Sequence, residues 1–235
     1  MPRRTSKSLV KATPPAVPMV RRIGDQNVVI EAEYRVPAVH PTGSGPWSGE
    51  ADKIAWTDPM TGLVCIIRRS PHGQHLCGYV SVPPEHPLFG RHVDTMGEQL
   101  IGVHGGLDYS SACQHWEPEE ISICHPSEGQ TRRFVLGGGR QKVHVNDEAA
   151  AGHDAWWFGF SCNQIDDITP TTRSSASHAR LLDGVTERTY KTEAYVFREC
   201  VRLARQLQAV ASGRDPREAD EEFRRNGYNP VRNEG

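Results

Sequence analysis

Short strands joined by tight turns constrain the fold of this chain most strongly. Apolar runs rich in β-branched residues cover 53–56, 63–68 and 75–82. Turns that contain glycine separate them, at 58–62 and 70–74. Turns of three to five residues between such runs are typical of β-hairpins. We therefore expect an antiparallel sheet in this part of the chain.

One long helix is predicted near the C-terminal end. Apolar residues there recur at steps of four, three, four and three, which places them on one helical face: Val196, Cys200, Leu203, Leu207 and Val210. The sequence thus predicts an α+β fold, in which a twisted antiparallel sheet with long loops is packed on one face by the helix near 190–211. Further strands are expected at 28–36, 98–104, 121–124, 133–136, 141–145 and 156–162.

The chain divides into three parts by composition. Residues 1–24 carry six Lys and Arg side chains, no acid and several prolines, so we expect a basic flexible arm, with a nucleic-acid-binding arm as the alternative. Residues 25–211 are expected to form a single α+β domain. Residues 212–235 are predicted to be a polar tail, with a short helix after the capping sequence Asp215-Pro216-Arg217-Glu218.

Charge and hydropathy exclude some function classes. The net charge of -2 argues against a surface that binds polyanions as a whole. No apolar stretch approaches the roughly 18 residues that span a bilayer, and no apolar signal region follows the first residues, so we expect a cytoplasmic protein without a membrane partner. The six cysteines include no Cys-x-x-Cys pair, and in that compartment we expect free thiols.

The strongest candidate site combines two segments that are distant in sequence. In His104-Gly105-Gly106-Leu107-Asp108 the glycines let the backbone turn tightly and approach a ligand. The segment from Trp157 and Cys162 to Asp167 is predicted to form the facing wall. We predict His104 and Asp167 as catalytic groups, because a histidine can be tuned to act as a base near neutral pH. Ligand-binding roles are predicted for Gly105, Gly106, Asp108, His86, Arg68 (or Arg69), Trp157 and Cys162.

A metal centre and a purely structural site are the alternatives. A divalent metal would need about three N, O or S ligands, and candidates beside His104 are Asp108, His86, His125, Cys162 and the Asp166-Asp167 pair. Cys113 with His115, and Cys124-His125, offer soft ligands, although their spacing matches no standard zinc motif. If the site is purely structural, His104 only ends a strand, the two glycines only form a turn, and the tryptophan belongs to the core.

Several motifs in order resemble a known protein family. They are Asp52-Lys53-x-x-Trp56, Cys77-Gly78-Tyr79-Val80, His86-Pro87 with Gly90, His104-Gly105-Gly106-Leu107, Ile123-Cys124-His125, Trp156-Trp157-x-Gly159-Phe160-x-Cys162, and Tyr195-Val196 with Glu199. Over residues 50–210 the chain resembles an uncharacterised family of bacteriophages and of bacteria that carry prophages. The family pattern Asp-Cys-Ala-His, followed three residues later by Asp, is replaced here by Ser161, Cys162, Asn163, Gln164 and Asp167. A catalytic or metal-binding role of that segment in relatives is therefore in doubt for this chain.

The resemblance implies a phage setting but no particular activity. Serine/threonine phosphatases also carry His-Gly-Gly-Leu, but their other metal-binding motifs are missing here. We predict recognition of a small, nucleotide-like ligand, with a role in countering host defence, either by phosphoester hydrolysis or by sequestration. The alternative is an interaction module that inhibits a host protein without small-molecule chemistry. The sequence leaves ligand identity, metal content and homo-oligomer formation open.

Overall fold

A computed structural model describes residues 19–97, 100–114, 116–125, 155–173 and 188–226. Eight strands are present in this part of the chain, and all paired neighbours run antiparallel. They are β1 (Met19–Ile23), β2 (Gln26–Ile30), β3 (Ala32–Tyr34), β4 (Lys53–Thr57), β5 (Val64–Arg69), β6 (Leu76–Val82), β7 (Tyr109–Ala112) and β8 (Trp156–Ser161).

The strands form one large and one small sheet. β1 and β2 make a two-stranded ribbon, and the other six follow the order β3-β4-β5-β6-β8-β7. The α-helices of the described residues are α1 (Pro170–Arg173), α2 (Glu193–Ala211) and α3 (Pro216–Asn226), and short 3-10 helices cover Pro46–Gly49 and Val93–Thr95. The predicted α+β class, with an antiparallel sheet and a long helix near the C-terminal end, is confirmed.

Helix α2 packs on one face of the large sheet because its apolar side chains share one side. Thr192 caps its first turn by accepting the Tyr195 N–H at 3.4 Å. Val196, Cys200 and Leu207 are fully buried in a core that also contains the inward residues of β5, β6 and β8. A second core lies on the opposite face of the sheet. Its members alternate along the strands with those of the first core, as the period of two in a strand requires.

A buried charge network holds the start of α2. Arg69 donates to Asp52 at 2.7 Å and to Glu50 at 3.1 Å. The Glu50 carboxylate also binds the segment that leads into the helix. It accepts hydrogen bonds from the Tyr190 hydroxyl at 2.6 Å and from the Glu193 N–H at 2.8 Å. Since Arg69 is almost fully buried, these hydrogen bonds compensate the cost of burying its charge.

The predicted arm and tail differ in part from the structure. Residues 19–23, at the end of the predicted basic arm, form β1, because Ile23 enters the core and Arg21 pairs with Glu193 at 2.9 Å. A helix is present where the capping sequence of the tail predicts one. It lies against α2 through Phe223, which is buried, so this helix is part of the packed structure.

Some predicted strands are also corrected. The expected strand at 28–36 is split at Glu31, since β2 pairs with β1 while β3 pairs with β4. The described residues of 98–104 and 121–124 form no strand, and β7 was not predicted. The runs at 133–136 and 141–145 lie outside the described residues. Among the helices that the structure describes, none has the length and apolar character needed to cross a membrane.

Candidate functional site

The His-Gly-Gly turn brings His104 beside helix α2. Gly105 and Gly106 have φ angles of +68° and +83°, a region that glycine adopts without strain. The Gly106 N–H closes the turn on the Val103 carbonyl at 3.1 Å. A Cβ at Gly105 would lie 2.3 Å from Nε2 of Gln164, so a larger residue here would have to displace that side chain in addition to adopting a positive φ.

The imidazole of His104 lies between a carboxylate and a phenol. Its Nε2 is 2.8 Å from Oδ2 of Asp167, and its Nδ1 is 2.9 Å from the hydroxyl of Tyr195. Because the carboxylate only accepts, Nε2 carries the ring proton and Nδ1 accepts the proton of the phenol. The result is a chain of hydrogen bonds from Asp167 through His104 to Tyr195.

Glu199 fixes the backbone at the same position. It accepts the His104 N–H at 2.8 Å, and Arg202 donates to the same carboxylate oxygen at 3.0 Å. Tyr195 and Glu199 are four residues apart on α2, so one face of the helix holds both the ring and the main chain of the histidine.

Asp167 is held as a buried carboxylate. The Gln164 N–H donates to its Oδ2 at 2.8 Å, and the ammonium of Lys191 lies 3.4 Å from its Oδ1. Burial would raise the pKa of this carboxyl, but the hydrogen bonds from His104 and Gln164 and the charge of Lys191 outweigh burial and lower the pKa. Arg188 donates to the Asp167 carbonyl at 2.7 Å.

Tyr195 forms the outer end of the hydrogen-bonded chain. It is half-buried, and the Lys191 ammonium is 5.2 Å from the centroid of its ring. Burial, with the nearby charge of Glu199 as the next cause, raises the pKa of Tyr195 to about 12. The phenol is therefore protonated at neutral pH and acts as a hydrogen-bond donor to His104.

A cavity of about 510 Å³ opens beside the two glycines. Its lining is more polar than apolar, includes one carboxylate, and comes from two loops: Val93, Asp94, Met96, Gly97, Ile101, Gly105, Gly106 and Leu107. The volume is in the range of small-molecule pockets.

The predicted wall around Trp157 is not part of this site. Trp157 is 1% exposed and belongs to the core on the face of the sheet opposite α2. The expectation that Trp157 and His104 share one concavity is wrong, because alternation along β8 sends Trp156 and Phe158, and not Trp157, to the helix side. Trp157 therefore fills the core and offers no exposed ring for stacking.

Arg68 lies on the other face of the sheet from His104, and Asp108 bonds to a different partner. Arg68 follows Val64 and Ile66 at a spacing of two along β5, and both of these belong to the core on the face opposite α2. The carboxyl of Asp108 is hydrogen-bonded to Ser161, and burial raises its pKa. Arg69, the alternative to Arg68, is enclosed in the charge network around Glu50.

His86 is buried elsewhere on the helix side, whereas Cys162 is buried in the core near Asp167. His86 donates from Nε2 to the Leu207 carbonyl at 2.9 Å and accepts the Leu88 N–H at Nδ1. Leu207 lies twelve residues, about 18 Å, along α2 from Tyr195, so His86 does not join His104. Cys162 lies in the core, where burial and nearby negative charges raise its thiol pKa, so it is not an activated nucleophile.

The cysteines near residue 120 form a disulfide instead of the expected free thiols. Cys113 and Cys124 are bonded, with 4.9 Å between their Cα atoms. The hydrogen bond from the Gln114 N–H to the Ile123 carbonyl joins the neighbouring residues and brings the two cysteines close together. His115 lies outside the described residues. His125 contacts Glu119 at 2.6 Å and Glu31 at 3.1 Å. In the part of the chain that the structure describes, no group of three His, Cys, Asp or Glu residues is placed to hold a metal ion.

Sequence reasoning missed Tyr195, Glu199 and Lys191 as members of this site. The signal was present, because Tyr195-Val196 with Glu199 is one of the motifs and the two polar residues share a helical face. Comparison with protein-family models, with curated proteins and with solved structures found no match.

Proposed function

We propose that this protein binds a small, nucleotide-like phosphoester beside the His104 turn and hydrolyses it, with His104 as the acid–base group. The observation that carries the proposal is the position of the imidazole between Asp167 and the Tyr195 hydroxyl. A base oriented by a carboxylate and in contact with a hydroxyl is the arrangement that activates a hydroxyl at neutral pH.

The charges near the hydroxyl support an anionic ligand. Lys191 and Arg188 lie beside Asp167, so two cations adjoin one carboxylate. Glu199, another acid of this region, is paired with Arg202. A phosphate near Tyr195 would have to bind on the side of the Lys191 ammonium, because the carboxylates of Glu199 and Asp167 oppose a negative charge at the phenol.

The histidine-based form of the hydrolase is favoured over the metal-assisted form. The carboxylate and the imidazole of this site already bond to each other and to protein donors. The described residues also offer no three-ligand group. The neighbouring cavity has room for the base or sugar part of a nucleotide, and its mainly polar lining offers hydrogen-bonding groups beside the apolar side chains of Met96 and Ile101.

The experiment is incubation of the purified protein with linear and cyclic nucleotides, followed by chromatographic separation of the products. We expect turnover that falls by about 10²–10⁴ in H104A and D167N, the usual contribution of an acid–base group. His72→Ala changes an exposed histidine and is the matched control. Retention of intact nucleotide without products would favour sequestration instead.

The biological setting remains part of the proposal. The motif resemblance suggests a phage protein that counters host defence in the cytoplasm of the host. If no nucleotide is bound or changed, the hydrolase proposal is wrong, and the alternative of an interaction module that inhibits a host protein is favoured.

A further inference from the structure

We propose that Tyr195 is the nucleophile of this hydrolysis and forms a covalent phosphotyrosine intermediate. This inference rests on the proposed phosphoester hydrolysis and adds the identity of the attacking atom. It starts from the order of groups along the hydrogen-bonded chain, which is carboxylate, imidazole and hydroxyl. That order matches the orienting group, base and nucleophile of known covalent hydrolases.

Among the described residues, His104 has no hydrogen-bond partner to activate other than Tyr195. Both ring nitrogens are engaged, and the side chain is 10% exposed. A water molecule attacking the ligand would have to displace either Asp167 or Tyr195 from the ring. The proton that Nδ1 is placed to accept is that of the phenol.

The surroundings of Tyr195 explain why a base is needed. Burial and the charge of Glu199 raise its pKa to about 12, so almost no phenolate forms unaided. The rings of Tyr195 and His104 are edge to face, at an interplanar angle of 88°. The hydroxyl lies 2.9 Å from Nδ1, the ring nitrogen that accepts its proton.

Lys191 supplies the countercharge for the transferred group. Its ammonium donates to Thr189 at 2.7 Å and pairs with Asp167, and an ammonium has a third N–H to donate. Because the ammonium also lies over the Tyr195 ring, a phosphate attacked by the phenol oxygen would lie beside a positive charge.

The reaction balances without a further reactant. In the first step the phenol oxygen bonds to phosphorus, the bond from phosphorus to the leaving alcohol breaks, and the phenol proton passes through Nδ1 of His104 to that alcohol. In the second step a water oxygen bonds to phosphorus, the bond to Tyr195 breaks, and a water proton returns through Nδ1 to the phenol oxygen. No atom is oxidised or reduced.

The test uses the p-nitrophenyl and phenyl esters of thymidine 5′-monophosphate as probes, with ethanol as a competing acceptor. A shared covalent intermediate predicts the same ratio of ethyl ester to free nucleotide from both probes. We also expect an acid-stable nucleotidyl adduct on the Tyr195 peptide by mass spectrometry. Tyr195→Phe should lose at least about 10²-fold in rate, whereas Tyr109→Phe, on the distant edge strand, should not.

The two probes separate the possible failures. Turnover with ratios that depend on the leaving group would overturn the nucleophilic role of Tyr195 and leave the proposed hydrolysis intact. Absence of turnover of either ester by the wild-type protein would overturn both. The ratio is measured on the wild-type protein, so the test does not depend on the folding of a variant.

Discussion

Gly78 on β6 and Cys200 on α2 approach so closely that a Cβ on Gly78 would lie 2.6 Å from the Cys200 sulfur. The same atom would lie 2.4 Å from the ring of Phe160 on β8. The missing side chain lets the helix settle onto the middle of the sheet. Tyr195 and Glu199 belong to this helix, so the depth of the contact also sets their distance from His104.

Gly78→Ala is therefore expected to destabilise the fold by about 1–3 kcal/mol, the usual cost of overpacking a core. Chemical denaturation followed by tryptophan fluorescence measures the change. Gly49→Ala is the control, since a Cβ there meets nothing within 4 Å. Equal stability of the two variants would contradict the close helix–sheet contact.

Gly105→Ala is expected to cost more stability than Gly106→Ala. Both positions have a positive φ, which costs a non-glycine residue about 1 kcal/mol or more. Only a Cβ at Gly105 would also collide with Gln164, at 2.3 Å, while a Cβ at Gly106 meets nothing within 4 Å. Thermal melting compares the two variants.

A double variant isolates that collision. Gln164→Ala combined with Gly105→Ala should recover most of the difference between the two glycine variants, because the alanine leaves room for the new Cβ. If the double variant is no more stable than Gly105→Ala alone, the contact with Gln164 does not determine the need for glycine.

Arg21→Ala is expected to lower the free energy of unfolding by about 1–3 kcal/mol, because it leaves the buried Glu193 carboxylate without its ion pair. Arg21 donates to both oxygens of Glu193, at 3.0 and 2.9 Å, and also pairs with Glu33. Arg22→Ala is the matched control, because Arg22 donates at the surface to the Gly24 carbonyl. We expect it to change stability by less than about 0.5 kcal/mol.

The segment 116–125 is expected to lose stability as pH rises from 6 to 8. Burial lowers the pKa of His125, but hydrogen bonds to Glu119 and Glu31 outweigh burial and raise it above the usual value. A raised folded pKa means that the stabilisation is complete below the unfolded pKa, about 6.5, and is lost as pH passes the folded value. Hydrogen exchange of these amides, corrected for intrinsic rates, measures it.

Of the other groups in contact, Lys53 titrates at the upper end of this range. Burial lowers its pKa to about 8, so its contribution makes stability rise with pH around and above that value and opposes the effect of His125 only near pH 8. Glu31 and Glu119 have lowered pKa values and titrate in acid, and burial raises the pKa of Tyr34. His125→Gln should remove the slope and His72→Ala should keep it. A slope that persists in His125→Gln would assign the effect to another group.

Sequence patterns predict the fold correctly where the pattern lies within one or two neighbouring elements. The hairpins of 53–82 and the spacing of Val196 and Cys200 each lie within one or two elements, and both predictions are confirmed. The split at Glu31 and the edge strand β7 depend on which strands meet in space, so periodicity did not reveal them.

The candidate site also depends on contacts between elements that are distant in sequence. The structure brings His104 and Asp167 together as expected, at 2.8 Å, while their catalytic roles remain predictions. Alternation established that Trp156 and Trp157 face opposite sides of β8, but only the position of α2 decides which side adjoins His104. Tyr195 escaped prediction because helix periodicity identifies buried apolar faces and says little about polar residues at their margin.

The hydrogen bonds of Glu50 have a consequence for catalysis. They fix the first residues of α2 to the Glu50 carboxylate, which does not line the cavity. Movement of Tyr195 toward a bound molecule would require these bonds to break, so the phenol is preorganised and the ligand must adapt to it. The protein would then select ligands whose shape already fits a stationary reacting group.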